Sequence, residues 1–273
     1  MKIHRVIAIG ALLVGAGIHS AGAQPNLSAV QGRADKADQP LYPAAEDVDP
    51  DAMFALGQRF DEGLGVTSDA QQALNWYIRA AAHGHAEAMN RLGILYAQGR
   101  GVTQDYVAAL AWYRQAVANG SGTAVNNLAT LYFYGLGVPQ DYSEAARLLQ
   151  IVARSGNADA ANKLGTMYND GLGVAQDHHQ ARELFSRAAE QGYAPAMVNL
   201  GRMYIDAIEV ARDDIHGYAL IRAALDMGVP ESMHETAFYE LGEATARLRP
   251  RQLARAQALA SELSGGPGAR SVG

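Results

Sequence analysis

Four Gly-x-Gly pairs at a regular 36-residue spacing, eight histidines and 28 carboxylates are the groups in this 273-residue sequence that could do chemistry. The pairs are Gly63/Gly65, Gly99/Gly101, Gly135/Gly137 and Gly171/Gly173. A glycine loop cradles phosphate when Lys and then Ser or Thr follow it; none of the four carries that Lys. His178 and His179 are adjacent, and neighbours on a helix point about 100° apart, which separates them as metal ligands. No H-E-x-x-H occurs, and His83, His85 and His234 read as surface side chains. Asp47, Asp49 and Asp51 begin a calcium-loop pattern, but Ala52 and Gln58 stand where the loop needs Gly and Glu. The nucleophile patterns G-x-S-x-G and S-x-x-K are absent. Asp61-Glu62 reads as a solvated helix end. These spacings predict no catalytic residue, no metal ligand and no cofactor.

Composition narrows the class further. There is no cysteine, so disulfides, thiolate zinc sites and cysteine nucleophiles are excluded. Residues 1–23 read as a signal peptide: Lys2 and Arg5, an apolar run from Val6 to about Ile18, then Ala21-Gly22-Ala23 as cleavage site. Its removal takes two cations and no carboxylate, and the net charge falls from −6 to about −8. An acidic chain is a poor partner for nucleic acid or anionic lipid. The expected location is the periplasm, with secretion into the medium as the alternative, and no membrane insertion after cleavage is expected. Residues 24–50, with four prolines and no period, read as a flexible linker, and 265–273 as a disordered tail.

The elements that must position any site come from a strict period. Leu56, Leu92, Leu128, Leu164 and Leu200 lie 36 apart, as do Asp69, Asp105, Asp141, Asp177 and Asp213, and Gly84, Gly120, Gly156, Gly192 and Gly228. Five units therefore span residues 51–228. Each reads as two helices. The first is typified by Ala86, Met89, Leu92, Gly93 and Tyr96 on one face, the second by Ala109, Trp112, Tyr113, Ala116 and Val117. The glycine pair sits at the elbow between them, its first member fitting a left-handed helix end. The laddered Asp then caps the second helix. Glycines at 57, 93, 165 and 201 inside the first helix, with Ala129 in the third unit, imply close helix–helix approach. The fifth unit has Ala207 and Glu209 where the elbow glycines belong, which predicts a different turn there. Residues 229–264 read as a degenerate repeat and a capping helix starting near Pro250.

The stretches LGILYAQGRGVTQDY and ALAWYRQAVANG carry a resemblance. The chain resembles the Sel1-like repeat, a relative of the tetratricopeptide repeat. The resemblance implies an all-α, right-handed α-solenoid of 36-residue helix–turn–helix units. It also implies an adaptor role in protein complexes, often in bacterial envelopes. Some Sel1-like proteins are β-lactamase-like, but that subgroup is rich in cysteine, and this chain has none.

By analogy with the related family, the first helices line a groove. Two residues before the laddered leucine stand Phe54, Asn90, Asn126, Asn162 and Val198. The asparagines have two readings: a ladder that binds every third residue of an extended peptide, or hydrogen bonds to neighbouring helices. Phe133 and Tyr134 read either as a binding hot spot or as packing between units. Asp170 and Arg202 add an anion and a cation to the groove. The expected partner is a protein or peptide, held in an envelope signalling or polysaccharide-assembly system. A β-lactamase-like or cell-wall amide hydrolase and a secreted host-binding factor are the alternatives. The oligomeric state is open.

Overall fold

The structure is a computed structural model that describes residues 49–265. The signal peptide read at 1–23, the linker up to residue 48 and the tail from 266 lie outside the described residues. The linker's last two residues belong to the first helix: Asp49 caps it through Asp51 N at 3.1 Å, and Pro50 opens it.

All elements among the described residues are helices. They are α1 Pro50–Glu62, α2 Ala70–Ala82, α3 Ala86–Gln98, α4 Tyr106–Ala118, α5 Gly122–Tyr134, α6 Tyr142–Arg154, α7 Ala158–Asp170, α8 His178–Glu190, α9 Ala194–Asp206, α10 Asp214–Met227, α11 Glu231–Arg247 and α12 Pro250–Ser264. They fall into two compact units, which meet in sequence at Gln191/Gly192. The first described unit holds α1–α8 and the second α9–α12. The all-α arrangement of successive helix pairs is as the period predicts.

Each pair is punctuated by the same local chemistry. Asp69, Asp105, Asp141, Asp177 and Asp213 all cap the second helix of their unit, accepting backbone N–H bonds at 2.9–3.1 Å. A free helix N-terminus carries unpaired donors and a partial positive charge, and a carboxylate answers both. The first helices take different caps: His85 Nδ1, Ser121 Oγ and Asn157 Oδ1 accept from the backbone three residues on. His85 is therefore no free surface histidine. Its ring stacks on Phe54 at 4.4 Å, and its Nε2 lies 3.2 Å from Asp51 Oδ1.

The first unit is packed through glycine at two kinds of position. Inside the first helices, a Cβ at Gly57 would come within 2.5 Å of the Tyr77 ring, and one at Gly165 within 2.7 Å of Phe185; Gly93 meets Tyr113 in the same way. An aromatic ring of the second helix thus lies flat on the first helix's backbone. The third pair shows the rule from the other side, because Leu149 replaces the ring and Ala129 replaces the glycine, both buried. At the elbows, the second glycine meets the preceding repeat. A Cβ at Gly101 would lie 2.6 Å from the Ala70 carbonyl carbon, and one at Gly137 2.5 Å from that of Tyr106; Gly173 meets Tyr142 likewise. Each of these three elbows therefore rests on the start of the previous second helix, backbone to backbone.

One expectation is corrected here. Asp61 is buried rather than solvated, 8% exposed. Its carboxylate receives Arg100 Nη2 at 2.6 Å and the Tyr77 hydroxyl at 3.3 Å. Arg100 belongs to the next elbow, so this pair ties the first repeat to the second. A buried carboxylate needs such partners to offset its lost hydration.

In the second unit α9 and α10 pair, and α11 and α12 both pack on α10. The fifth elbow does not differ, contrary to the sequence expectation. Ala207 and Glu209 both take φ 57°, the left-handed values that glycine supplies elsewhere. The same bonds hold them: Ile208 N to Met203 O at 2.9 Å and Asp213 N to Tyr204 O at 3.1 Å. The hydrogen-bonded frame overrides the side chains' preference at a cost of about 1 kcal/mol or more per residue. Gly217 lets α10 approach closely, since a Cβ there would lie 2.9 Å from the Gly201 carbonyl oxygen.

The covariation of ring and glycine gives a direct test. Gly93→Ala should destabilise the protein by about 1–3 kcal/mol through overpacking against Tyr113. Tyr113→Leu recreates the Ala129/Leu149 pair, so the double variant should be more stable than the sum of the two losses by about 1 kcal/mol or more. Urea unfolding of the four proteins measures the coupling; additive losses would refute the pairing.

Candidate functional site

The first helices of the second and third repeats, α3 and α5, touch directly. Beside their contact lies a cleft of about 320 Å³, lined by Glu87, Asn90, Arg91, Ile94, Thr123, Asn126, Asn127 and Asn157. Successive turns of α3 deliver Glu87, Asn90, Arg91 and Ile94 to one face, and α5 delivers Thr123, Asn126 and Asn127 at the matching positions one period later. Asn157, the cap of α7, closes one side.

A carboxylate is bound into the wall of the cleft. Glu87 Oε1 accepts from Ser121 Oγ at 2.6 Å and from Thr123 Oγ1 at 2.8 Å, while Oε2 accepts from Asn90 Nδ2 at 3.2 Å. Asn90 also donates to Thr123 Oγ1 at 3.0 Å and accepts from Asn127 Nδ2 at 2.9 Å. Partial burial pushes the Glu87 carboxyl up, but the hydrogen bonds from Ser121, Thr123 and Asn90 and the nearby Arg91 charge outweigh it, and its pKa lies below the ordinary value. The network joins residues 33 to 37 apart in sequence, so it locks the second repeat to the third.

The asparagines predicted as a ladder divide accordingly. Asn90 is 4% exposed, with its amide spent between repeats. Asn126 lines the same cleft; its Nδ2 donates to Asp159 Oδ2 at 2.7 Å, and Lys163 Nζ approaches its Oδ1 at 3.5 Å. Asn162 is half-buried, lies outside the cleft and accepts from Thr166 Oγ1 through its carbonyl. Their shared position is therefore not one uniform exposed row: Val198 at the same place is fully buried.

The remaining predicted residues lie elsewhere. Phe133 and Tyr134 sit at the elbow end of α5, edge to face at 4.9 Å, with Phe133 also against Tyr142 at 5.0 Å. Phe133 is half-buried and Tyr134 exposed. Asp170 is exposed at the end of α7 and accepts from Asn169 Nδ2 at 2.7 Å. Arg202 belongs to the second unit, where its Nε meets the buried Glu240 carboxylate at 3.3 Å. Burial beside Asp206 holds the Glu240 pKa above the ordinary range, and Arg202 only partly opposes this.

Sequence reasoning passed over Arg91 and Asn127. A signal existed: the residue immediately before the laddered leucine is polar from the second unit to the fifth, Arg91, Asn127, Lys163 and Asn199. The pairing of Glu87 with Ser121 and Thr123 had no short-range pattern, because its members lie one full period apart.

The Glu87 network predicts acid sensitivity. A carboxyl with a lowered pKa in the folded state contributes stability above the unfolded glutamate value, and that contribution is lost as pH falls through the folded value. Glu87→Gln should cost about 1–2 kcal/mol at pH 7. The gap between wild type and variant should shrink below pH 4.5. Urea titrations at the two pH values check this; a gap independent of pH would contradict it.

Comparison with known proteins follows from this geometry. The Sel1 repeat matches residues 50–85, 86–121, 123–157, 158–193 and 194–229. Among solved structures, the chain is similar to c5321, a protective antigen present in uropathogenic Escherichia coli strains displaying an SLR fold. The identity is 28%, the TM-score 0.72, and the match covers 80% of this chain and 46% of the other. The chain thus spans about half the length of that relative. It is also similar to a Sel1 repeat protein from Oxalobacter formigenes, with 26% identity, a TM-score of 0.65, and 81% and 89% of the two chains covered. No curated protein matches the sequence. With five consecutive matches over most of its length, the chain belongs to the Sel1 repeat family.

Proposed function

We propose that this protein is a non-catalytic scaffold in the periplasm that holds an extended segment of a protein partner against its first-helix face. The observation that carries the reading is the cleft beside α3 and α5, to which two consecutive repeats and the cap of the following helix α7 contribute side chains. Ile94 supplies an apolar contact there, and Arg91, Asn126, Asn127 and Asn157 supply polar groups around it. A cleft built across repeats suits an extended chain, because packed helices are about 8–10 Å apart and three extended residues cover about the same length. Sel1 repeats generally mediate protein binding, and similarity to a protective antigen fits an exported protein. Regulation of an envelope signalling or assembly system is the role we assign to the binding.

The hydrolase reading meets a specific obstacle. Ser121 Oγ donates to Glu87 at 2.6 Å, a hydroxyl–carboxylate pair of the kind a hydrolase would use. However, Ser121 is 4% exposed, its oxygen accepts the Ala124 N–H as a helix cap, and Glu87 is held in its ionised form as a weak base. A nucleophile needs a base of matched pKa and access to substrate. This pair provides neither.

A photo-crosslinking amino acid in place of Ile94 tests the binding face in living cells. Ile151, exposed on the second helix α6, serves as the control position. The reading expects a discrete adduct from position 94 that is missing from position 151. Equal labelling at both, or labelling at 151 alone, would overturn it.

A further inference from the structure

We infer that the cleft beside α3 and α5 selects an acidic peptide, taking an Asp or Glu side chain of an extended protein segment onto Arg91. The inference rests on the protein-binding reading above and adds the chemistry of the partner.

The hydrogen-bond capacity of the cleft is unevenly spent. Its acceptors are largely occupied from within. Glu87 receives Ser121, Thr123 and Asn90; Asn90 Oδ1 receives Asn127; Asn157 Oδ1 receives the Ala160 N–H at 2.8 Å. Both N–H groups of Asn90 are used as well. What remains is mostly donors. Asn126 and Asn127 each place one N–H in a hydrogen bond and carry a second. Asn157 caps through its oxygen, which leaves its amide N–H groups to face outward. Arg91 carries five donors, and its ion-pair contact is Glu62 Oε1 at a loose 3.8 Å. The Arg91 side chain is one-third exposed and lines a cleft whose carboxylate is already saturated with donors.

Such a site recognises acceptors. Backbone carbonyls of an extended segment suit the amides of Asn126, Asn127 and Asn157. A carboxylate suits Arg91, whose planar fork binds two oxygens at once. Arg91 is the one cation lining the cleft, and on a chain of net charge −6 this favours one carboxylate over a polyanion, since long-range repulsion rises with every added negative charge. The three hydrogen-bond donors on Glu87 are neutral and leave its charge in place, so the ligand carboxylate must sit closer to Arg91 than to Glu87.

The probes are the peptide Ac-Ala-Ala-Asp-Ala-Ala-NH2 and its isostere with Asn in place of Asp, titrated at millimolar concentration into the 15N-labelled protein. Shifts of the Asn126, Asn127 and Asn157 side-chain amides and of the Arg91 Nε–H are the readout. The Asp peptide should bind about tenfold more tightly than the Asn peptide. Arg91→Gln, folded by circular dichroism, should erase that difference. Equal binding of both peptides at the cleft overturns the carboxylate preference while leaving a protein-binding face intact. Shifts confined to other surfaces, or none, overturn the assignment of the cleft, and crosslinking at Ile94 then decides separately whether the face binds protein at all.

Discussion

Backbone resting on backbone is the constraint from which the N-terminal unit is built. At each elbow after the first, a glycine lies so close to the start of the preceding second helix that no Cβ would fit. Side chains elsewhere in the core can exchange volume with their neighbours, as Leu149 and Ala129 do. Two main chains in contact cannot adjust in that way. The elbow contact therefore fixes the spacing between repeats, and that spacing brings equivalent positions of successive first helices side by side.

Polar chemistry follows from the spacing. Once α3 and α5 are set at helix-contact distance, a glutamate on one and hydroxyls on the other fall within hydrogen-bond reach, and Glu87 is satisfied by Ser121 and Thr123. Asp61 with Arg100 does the same between the first two repeats. These contacts are not equal from repeat to repeat. The apolar ladders recur, and so does the asparagine link, Asn90 to Thr123 and Asn126 to Asp159, whereas the hydroxyl bonds of Glu87 and the Asp61–Arg100 pair each belong to one junction; the cleft arises at the junction where asparagines outnumber apolar groups. A repeat protein can thus keep one fold and differentiate a single step of its stack for recognition.

How much of this was legible in the sequence depends on the range of each interaction. The elbows and caps were readable because Gly63 or Asp69 acts on backbone only a few residues away. The close packing of Gly57, Gly93 and Gly165 was also readable, since glycine in a helix is costly without a reason. The fifth elbow was misread: Ala207 and Glu209 hold the left-handed conformation, because the hydrogen bonds to Met203 and Tyr204 outweigh a local preference. Asp61 was misread because its partner Arg100 lies 39 residues away. The asparagines were found as a set, but their shared use was not: Asn90 donates to Thr123 and Asn126 to Asp159, the equivalent residue one period on. A period places residues on a face; it does not tell which of them the next repeat will consume.

The stacking contact can be isolated by comparing two glycines with the same backbone conformation. Gly65, φ 73°, lies in the first matched repeat, and among the described residues a Cβ there would approach nothing nearer than Arg59 Nη2 at 3.6 Å. Gly137, φ 68°, would meet the Tyr106 carbonyl carbon at 2.5 Å. Equilibrium unfolding of Gly65→Ala and Gly137→Ala is the most direct measurement. Gly65→Ala should cost about 1 kcal/mol for the strained conformation alone. Gly137→Ala should lose a further ~1–3 kcal/mol through the backbone clash. Equal losses would show that the elbows do not carry the stack and would contradict the account.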